Sequence, residues 1–124
     1  VKKGLKNADA VKEGKLFEQD ELAKSIAEGK DVRGQITLVP QNGGGNVKGN
    51  RTKVDQLIKN DDNTYTIIDT KLRPSTKLSP GQRKALEHVE YGNGMFEVRT
   101  KDWKEKYGLT IKVKEYKIKT KYPD

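Results

Sequence analysis

Two aspartates and a lysine have the side chains and the spacing that could support catalysis in this sequence. Asp55 lies in the apolar segment TKVDQLI, and Asp69 and Lys71 lie in the segment IIDTK. Because side chains alternate along a strand, Asp69 and Lys71 share one face. The short polar turn at residues 59–64 predicts a hairpin, which allows the two carboxylates to converge on neighbouring strands.

Two neighbouring carboxylates repel each other, and one takes up a proton unless a cation lies between them. Mg²⁺ is commonly held by one or two carboxylates with waters and substrate phosphate. Such an ion lowers the pKa of bound water and neutralises charge developing on a phosphodiester. We therefore expect Mg²⁺ or Mn²⁺ at Asp55 and Asp69, with Lys71 orienting the water. The alternative is a solvated surface pair of little energetic weight, although the preceding Ile67 and Ile68 favour a buried strand.

The composition narrows the possible partners and chemistries. The 124 residues suit one domain, and the formal net charge of +8 indicates a polyanionic or an acidic protein partner. The absence of cysteine excludes disulfides, thiolate zinc sites and cysteine nucleophiles. No apolar run is long enough for a membrane span. Because the sequence starts without Met, we expect it to be part of a longer protein.

The periodicity predicts an α/β or α+β fold with a single mixed central sheet flanked by helices. Residues 1–13 are interpreted as a lead-in, and 14–124 as one domain. Ser79 and Pro80 predict the start of the second helix, and a phase change near Glu115 predicts a bulge in the last strand. The predicted elements are a helix at 14–30 closed by Gly29, strands at 36–40, 52–58 and 64–72, a helix at 81–92, and strands at 95–100 and 109–122.

Four segments resemble those of a known nuclease superfamily. VDQLI and IIDTK resemble the core of the PD-(D/E)XK nucleases, in which an Asp on one strand is followed by (D/E)xK on the next. KLSPGQ at 77–82 resembles the LTPxQ-type segment of many of these enzymes, and GKLFEQ at 14–19 resembles their first-helix GxxxE segment. These features occur in the expected order over residues 14–100, which implies a PD-(D/E)XK-like core.

The resemblance implies specific roles for these residues. Asp55 and Asp69 would bind the metal ion, with the backbone carbonyl of Thr70 as a third ligand. Lys71 would orient the attacking water. Gln82 would support Lys71 or the substrate. Glu18 would close the metal site from the first helix, with Glu21, further from the apolar face, as its rival.

A small, basic, cysteine-free nuclease domain also resembles the C-terminal toxin domains of bacterial contact-dependent growth inhibition and Rhs-type polymorphic toxins. This resemblance implies an endonuclease that hydrolyses DNA or tRNA. It further implies delivery from the cell surface as part of a larger protein, action in the cytoplasm of a target cell, and neutralisation by a cognate immunity protein.

Other residues leave alternatives open. His88, the single histidine, is the candidate base of a metal-independent ribonuclease, and a non-catalytic basic binding module is a further possibility. Trp103 and Tyr107 could stack on bases or complete the core, and the glycine-rich segment at 43–49 is predicted to be a hairpin loop. Candidate nucleic-acid-binding residues are Lys53, Arg73, Lys112, Lys114, Lys117 and Lys119, of which those in the last strand could equally form a solvated edge.

Overall fold

The computed structural model describes residues 2–42, 45–46, 51–75, 77–101 and 110–122. Trp103, Tyr107 and most of the glycine-rich segment lie outside them. The fold is α+β with a single mixed sheet, as predicted. Its elements are α1 (Lys2–Ala27), β1 (Asp31–Asn42), β2 (Gly45–Asn46), β3 (Thr52–Lys59), β4 (Tyr65–Lys71), α2 (Pro80–Tyr91), β5 (Met95–Val98) and β6 (Thr110–Thr120).

Helix α1 begins at Lys2, well before the predicted start at Gly14. Its first half contains no proline and is rich in good helix formers, and residues 9–12 are exposed. Val11, for example, is 72% exposed. A search for an apolar stripe therefore misses this half, although its helix propensity is high. The helix ends at Ala27, and Gly29 follows with a φ of 80°, so the predicted C-terminal glycine is confirmed.

The sheet positions the hairpin of β3 and β4 at its centre. Strand β3 pairs antiparallel with β1 and β4, while β4 pairs parallel with β6. Strand β5 pairs antiparallel with both β6 and β1. The five longer strands therefore pair in a closed order, β1-β3-β4-β6-β5 and back to β1. The short strand β2 pairs antiparallel with the last two residues of β1.

The two helices pack on different sides of this sheet. The main core cluster includes Ala85 of α2, Leu57 of β3 and Ile67 of β4. On the other side, the Ser25 hydroxyl of α1 donates to the Gln56 side-chain oxygen at 2.7 Å. No described helix has the length and apolar character needed to cross a membrane.

The predicted irregularity in β6 is confirmed. Tyr65 pairs with Val113 and Thr66 pairs with Glu115, so Lys114 is an extra residue in β6. The insertion keeps Val113 and Tyr116 on the core side despite their odd spacing.

Two glycines with positive φ provide a matched test of packing. A Cβ at Gly94 (φ 70°) would lie 2.6 Å from the backbone oxygen of Val113, whereas a Cβ at Gly29 (φ 80°) would meet no atom within 4 Å. We expect Gly29→Ala to cost about 1 kcal/mol of unfolding free energy and Gly94→Ala at least about 2 kcal/mol more. Chemical denaturation measures both, and equal costs would contradict the described junction between α2 and β5.

Candidate active site

The hairpin of β3 and β4 opens where the two aspartates lie. The last backbone pair before this point is Gln56 with Ile68. Beyond it, the Asp55 amide donates to Asp69 Oδ1 at 2.9 Å, and the Thr70 amide donates to Asp55 Oδ2 at 2.7 Å. The Thr70 hydroxyl also donates to Asp55 Oδ2, at 2.9 Å. Each aspartate therefore satisfies a backbone donor of the opposite strand, and the hairpin brings the two carboxylates together.

A strained residue of β1 lies opposite this opening. Pairing of β1 with β3 is interrupted between Gly34–Gln56 and Ile36–Val54, and the intervening Gln35 has a φ of 56°. A residue with a side chain pays roughly 1–2 kcal/mol for this left-handed conformation, and such residues are concentrated at functional sites. The interruption coincides with Asp55, whose amide turns to the Asp69 carboxylate.

A cleft of about 470 Å³ gathers five of the six residues that the sequence assigned to catalysis or metal binding. Asp69 is the exception, because it is 0% exposed and lies behind the cleft surface. The apolar side of the cleft includes Val11 and Leu72. The five predicted residues lining the cleft are Glu18, Asp55, Thr70, Lys71 and Gln82.

The start of α2 positions the lysine of the cleft. The Lys71 ammonium donates to Gln82 Oε1 at 2.9 Å, and this oxygen also accepts the Ser79 amide at 2.9 Å. The Ser79 hydroxyl accepts the Gln82 amide, which completes a capping box. Gln82 therefore ties Lys71 to the helix cap, in agreement with the predicted position of Gln82 beside Lys71.

Asp69 has a second partner, which the sequence analysis did not identify. The hydroxyl of Tyr116 donates to Asp69 Oδ2. Burial raises the pKa of the Asp69 carboxyl, and the hydrogen bonds from Tyr116 and from the Asp55 amide oppose this effect. Burial and the Asp69 charge raise the pKa of Tyr116, so its hydroxyl stays a donor. The sequence carries no signal for this contact, because the parallel pairing of β6 with β4 is known only from the structure.

Helix α1 contributes a third carboxylate, that of Glu18, beside the two aspartates of the hairpin. The Gln35 side-chain amide donates to Glu18 Oε1, a contact that sequence periodicity does not predict. Partial burial, followed by the negative charges of Asp55 and Asp69, raises the pKa of the Glu18 carboxyl. Glu18 therefore lies in the electrostatic field of both aspartates.

The donor set is chemically suited to a hard divalent cation. It consists of oxygen ligands that repel one another, which a cation would relieve. Within the described part of the chain, no three His, Cys, Asp or Glu side chains form a ready-made metal cluster. Asp69 already accepts two hydrogen bonds. The fit is that of an ion held by Asp55 and a supporting carboxylate, with water and phosphate oxygens completing its coordination.

The alternative base lies elsewhere on α2. His88 Nε2 donates to the Met95 carbonyl oxygen at 2.8 Å, and its ring meets the Phe96 ring edge-on at 5.1 Å. His88 is not among the residues that line the cleft. These contacts describe a histidine that fastens α2 to β5.

The candidate nucleic-acid-binding residues lie in different parts of the molecule. Lys53 is exposed, and its charge opposes the raised pKa of Glu18, which places it near the cleft. Register pairs Lys117 with Ile68 and Lys119 with Thr70, so strand alternation assigns these lysines to the face away from Asp69.

The remaining members of that set are exposed, but some have partners. Lys112 is exposed on β6, whereas Lys114 pairs with Asp62 at 3.1 Å. The Arg73 guanidinium lies 5.0 Å from the centre of the Tyr122 ring. Lys117 pairs with Glu115 at 3.4 Å. A continuous phosphate track along β6 therefore stays a prediction, and its lysines do not border the cleft.

Comparison with protein-family models, with curated proteins and with solved structures gives no match for this chain. The likeness to PD-(D/E)XK nucleases and to toxin domains therefore rests on the motifs alone.

Asp69 supports the fold as well as the candidate site. We expect Asp69→Ala to lower the unfolding free energy by about 2–4 kcal/mol, because it leaves the Asp55 amide and the Tyr116 hydroxyl without their acceptor. Asp69→Asn keeps the shape and one acceptor, so it should cost about 2 kcal/mol less than Asp69→Ala. Urea denaturation compares the two variants, and equal losses would show that the buried hydrogen bonds contribute little.

Glu18 should lower the stability of the fold at neutral pH. Since its folded-state pKa is raised above the ordinary glutamate value of 4.5, the folded state holds the proton more tightly than the unfolded state does. Ionised Glu18 therefore costs stability above the folded-state pKa, and this cost disappears as the pH falls below the unfolded value. We expect Glu18→Gln to melt at a higher temperature than the parent at pH 7, with the difference vanishing near pH 4. A lower melting temperature of the variant at pH 7 would contradict this electrostatic conflict.

Proposed function

We propose that this chain is a metal-dependent endonuclease with a PD-(D/E)XK-like core, which hydrolyses phosphodiester bonds of DNA or tRNA. The observation that carries the proposal is the convergence of Glu18, Asp55, Lys71 and Gln82 on one cleft, with Asp69 directly behind it. Two helices and two strands, α1, β3, β4 and α2, contribute these side chains. A solvated surface pair would not require such an arrangement.

The residues of the cleft have complementary tasks in this proposal. Asp55 would hold a Mg²⁺ or Mn²⁺ ion, with Asp69, the Thr70 carbonyl and Glu18 as the further candidate ligands. The ion, when bound, would supply charge neutralisation at the phosphodiester and a water of lowered pKa. Asp69 keeps the Asp55 backbone in place through the Asp55 amide.

Lys71 would donate hydrogen bonds to the water or the phosphate, and Gln82 would hold Lys71 in position. An ammonium has three donors, and one is used in the bond to Gln82. The others are available to a water or a phosphate oxygen in the cleft, which Lys71 lines. Because Gln82 is fixed by the helix cap, Lys71 is oriented before substrate arrives, and this reduces the entropic cost of the reaction. Lys53 would contact the substrate backbone beside the cleft.

The biological setting is also a proposal. The net charge of +8 suits a polyanionic substrate and an acidic inhibitor. Together with the motif resemblance, it supports a toxin domain delivered as part of a larger protein into the cytoplasm of a target cell and neutralised by an immunity protein.

The proposal is tested by incubating the parent with plasmid DNA and with total tRNA, in Mg²⁺, in Mn²⁺ and in EDTA. We expect cleavage of one substrate that requires the divalent ion and falls at least about 100-fold in Lys71→Met and in Asp55→Asn. Gln82→Ala should lose less, since Lys71 remains. Lys24→Met is the matched control, because Lys24 is an exposed lysine on α1 that pairs with Glu21, and it should retain full activity.

Other outcomes of this experiment identify the alternatives. Cleavage that persists in EDTA and disappears in His88→Ala would replace the proposal with a metal-independent ribonuclease. Salt-sensitive binding without turnover in any condition would indicate a binding module. In that case Asp55→Asn should bind nucleic acid at least as tightly as the parent, because it removes a negative charge.

A further inference from the structure

Tyr116 connects the last strand of the chain to the buried carboxylate of the cleft. Strand β6 pairs parallel with β4, and the register places Tyr116 beside Ile67. Ile67 and Asp69 are two residues apart on β4, so their side chains share a face. The Tyr116 hydroxyl crosses to Asp69 Oδ2, while its ring packs against the core cluster.

The geometry leaves Asp69 little freedom. Its carboxylate is 0% exposed, and its two oxygens are held from two directions, by the Asp55 amide and by the Tyr116 hydroxyl. The first donor belongs to the backbone of the neighbouring strand. The second is a side chain with a packed ring, so the orientation of the carboxylate depends on the position of this ring.

We propose that Tyr116 is a positioning residue that sets the affinity of the cleft for a divalent cation by fixing the Asp69 carboxylate. This inference rests on the metal site of the proposed function. Without the hydroxyl, Asp69 Oδ2 loses its donor and the carboxylate turns to find another, which takes the Asp55 backbone with it through the Asp55 amide. Partners that orient ligands in this way commonly change metal affinity 10–100-fold when removed.

The chain provides a matched control for the loss of a tyrosine hydroxyl. Tyr122 donates its hydroxyl to the carboxylate of Glu13, and neither residue lines the cleft. Tyr122→Phe therefore removes the same chemical group, bonded to the same kind of acceptor, outside the candidate site.

The test measures binding of Mn²⁺ to the intact chain by the loss of the free-ion electron paramagnetic resonance signal, well below the melting temperature of each variant. We expect the dissociation constant to rise at least about 10-fold in Tyr116→Phe and less than about twofold in Tyr122→Phe. We also expect Asp69→Asn to weaken binding, with no additional loss in the double variant Tyr116→Phe/Asp69→Asn, because both changes act through one carboxylate.

Three results would overturn the inference. These are a folded Tyr116→Phe protein that binds Mn²⁺ as well as the parent, losses that add in the double variant, and a parent that binds no Mn²⁺. A parent that binds Mn²⁺ in a Tyr116-dependent manner but cleaves neither DNA nor tRNA would refute the nuclease proposal and leave the positioning role of Tyr116 in place.

Discussion

The backbones of β3 and β4 part at Asp55 and Asp69, and the two carboxylates accept amide hydrogen bonds where the ladder ends. A buried amide without an acceptor costs about 1–3 kcal/mol, so the opening persists because each aspartate serves the other strand. The left-handed Gln35 on β1 lies opposite the same point. The other features of the cleft depend on this exchange, since it presents Asp55 to the cleft and places Asp69 within reach of Tyr116.

The same exchange creates an electrostatic conflict that the fold alone does not relieve. Asp69 is buried, and Glu18 lies in the field of both aspartates, so the pKa values of Asp69 and Glu18 are raised. Lys15, Lys53 and Lys71 oppose these shifts but do not reverse them, and the Lys71 ammonium is already held by Gln82. Groups placed against their own solvation and charge preferences are more common at functional sites than in structural hairpins. Under the proposed function, a bound cation would relieve this conflict.

The parts of the fold that short-range patterns control could be predicted from the sequence. Ser79 and Pro80 are neighbours in sequence, and the helix start they predict is confirmed. The change of phase in β6 likewise located the bulge next to Glu115. The long-range features could not be read in this way. No periodicity indicates that β1 kinks at Gln35, and the first half of α1 lacks the apolar stripe that would have revealed it.

The candidate site likewise contains residues that short-range patterns predict and contacts that they do not predict. The motif positions Asp55, Asp69 and Lys71 follow from strand alternation and a short turn. The contact of Tyr116 with Asp69 follows from the parallel pairing of β6 with β4, and the contact of Gln35 with Glu18 follows from how α1 packs beside the interruption in β1. A tyrosine at an apolar position of β6 looks like a core residue until the parallel pairing with β4 is known.

The distribution of charge bears on how a polyanion would reach the cleft. Lys114 and Lys117 of β6 pair with Asp62 and Glu115, and register assigns Lys117 to the face away from Asp69. The net charge of +8 nevertheless acts over roughly 8 Å at physiological salt, so β6 can contribute to attraction without touching the substrate. Lys15 of α1 also acts on Glu18. Among the residues assigned to catalysis or nucleic-acid binding, Lys53 and Lys71 are cations close to the carboxylates. The positive surface would therefore govern the rate of encounter, and these two lysines would govern the register of the phosphate in the cleft.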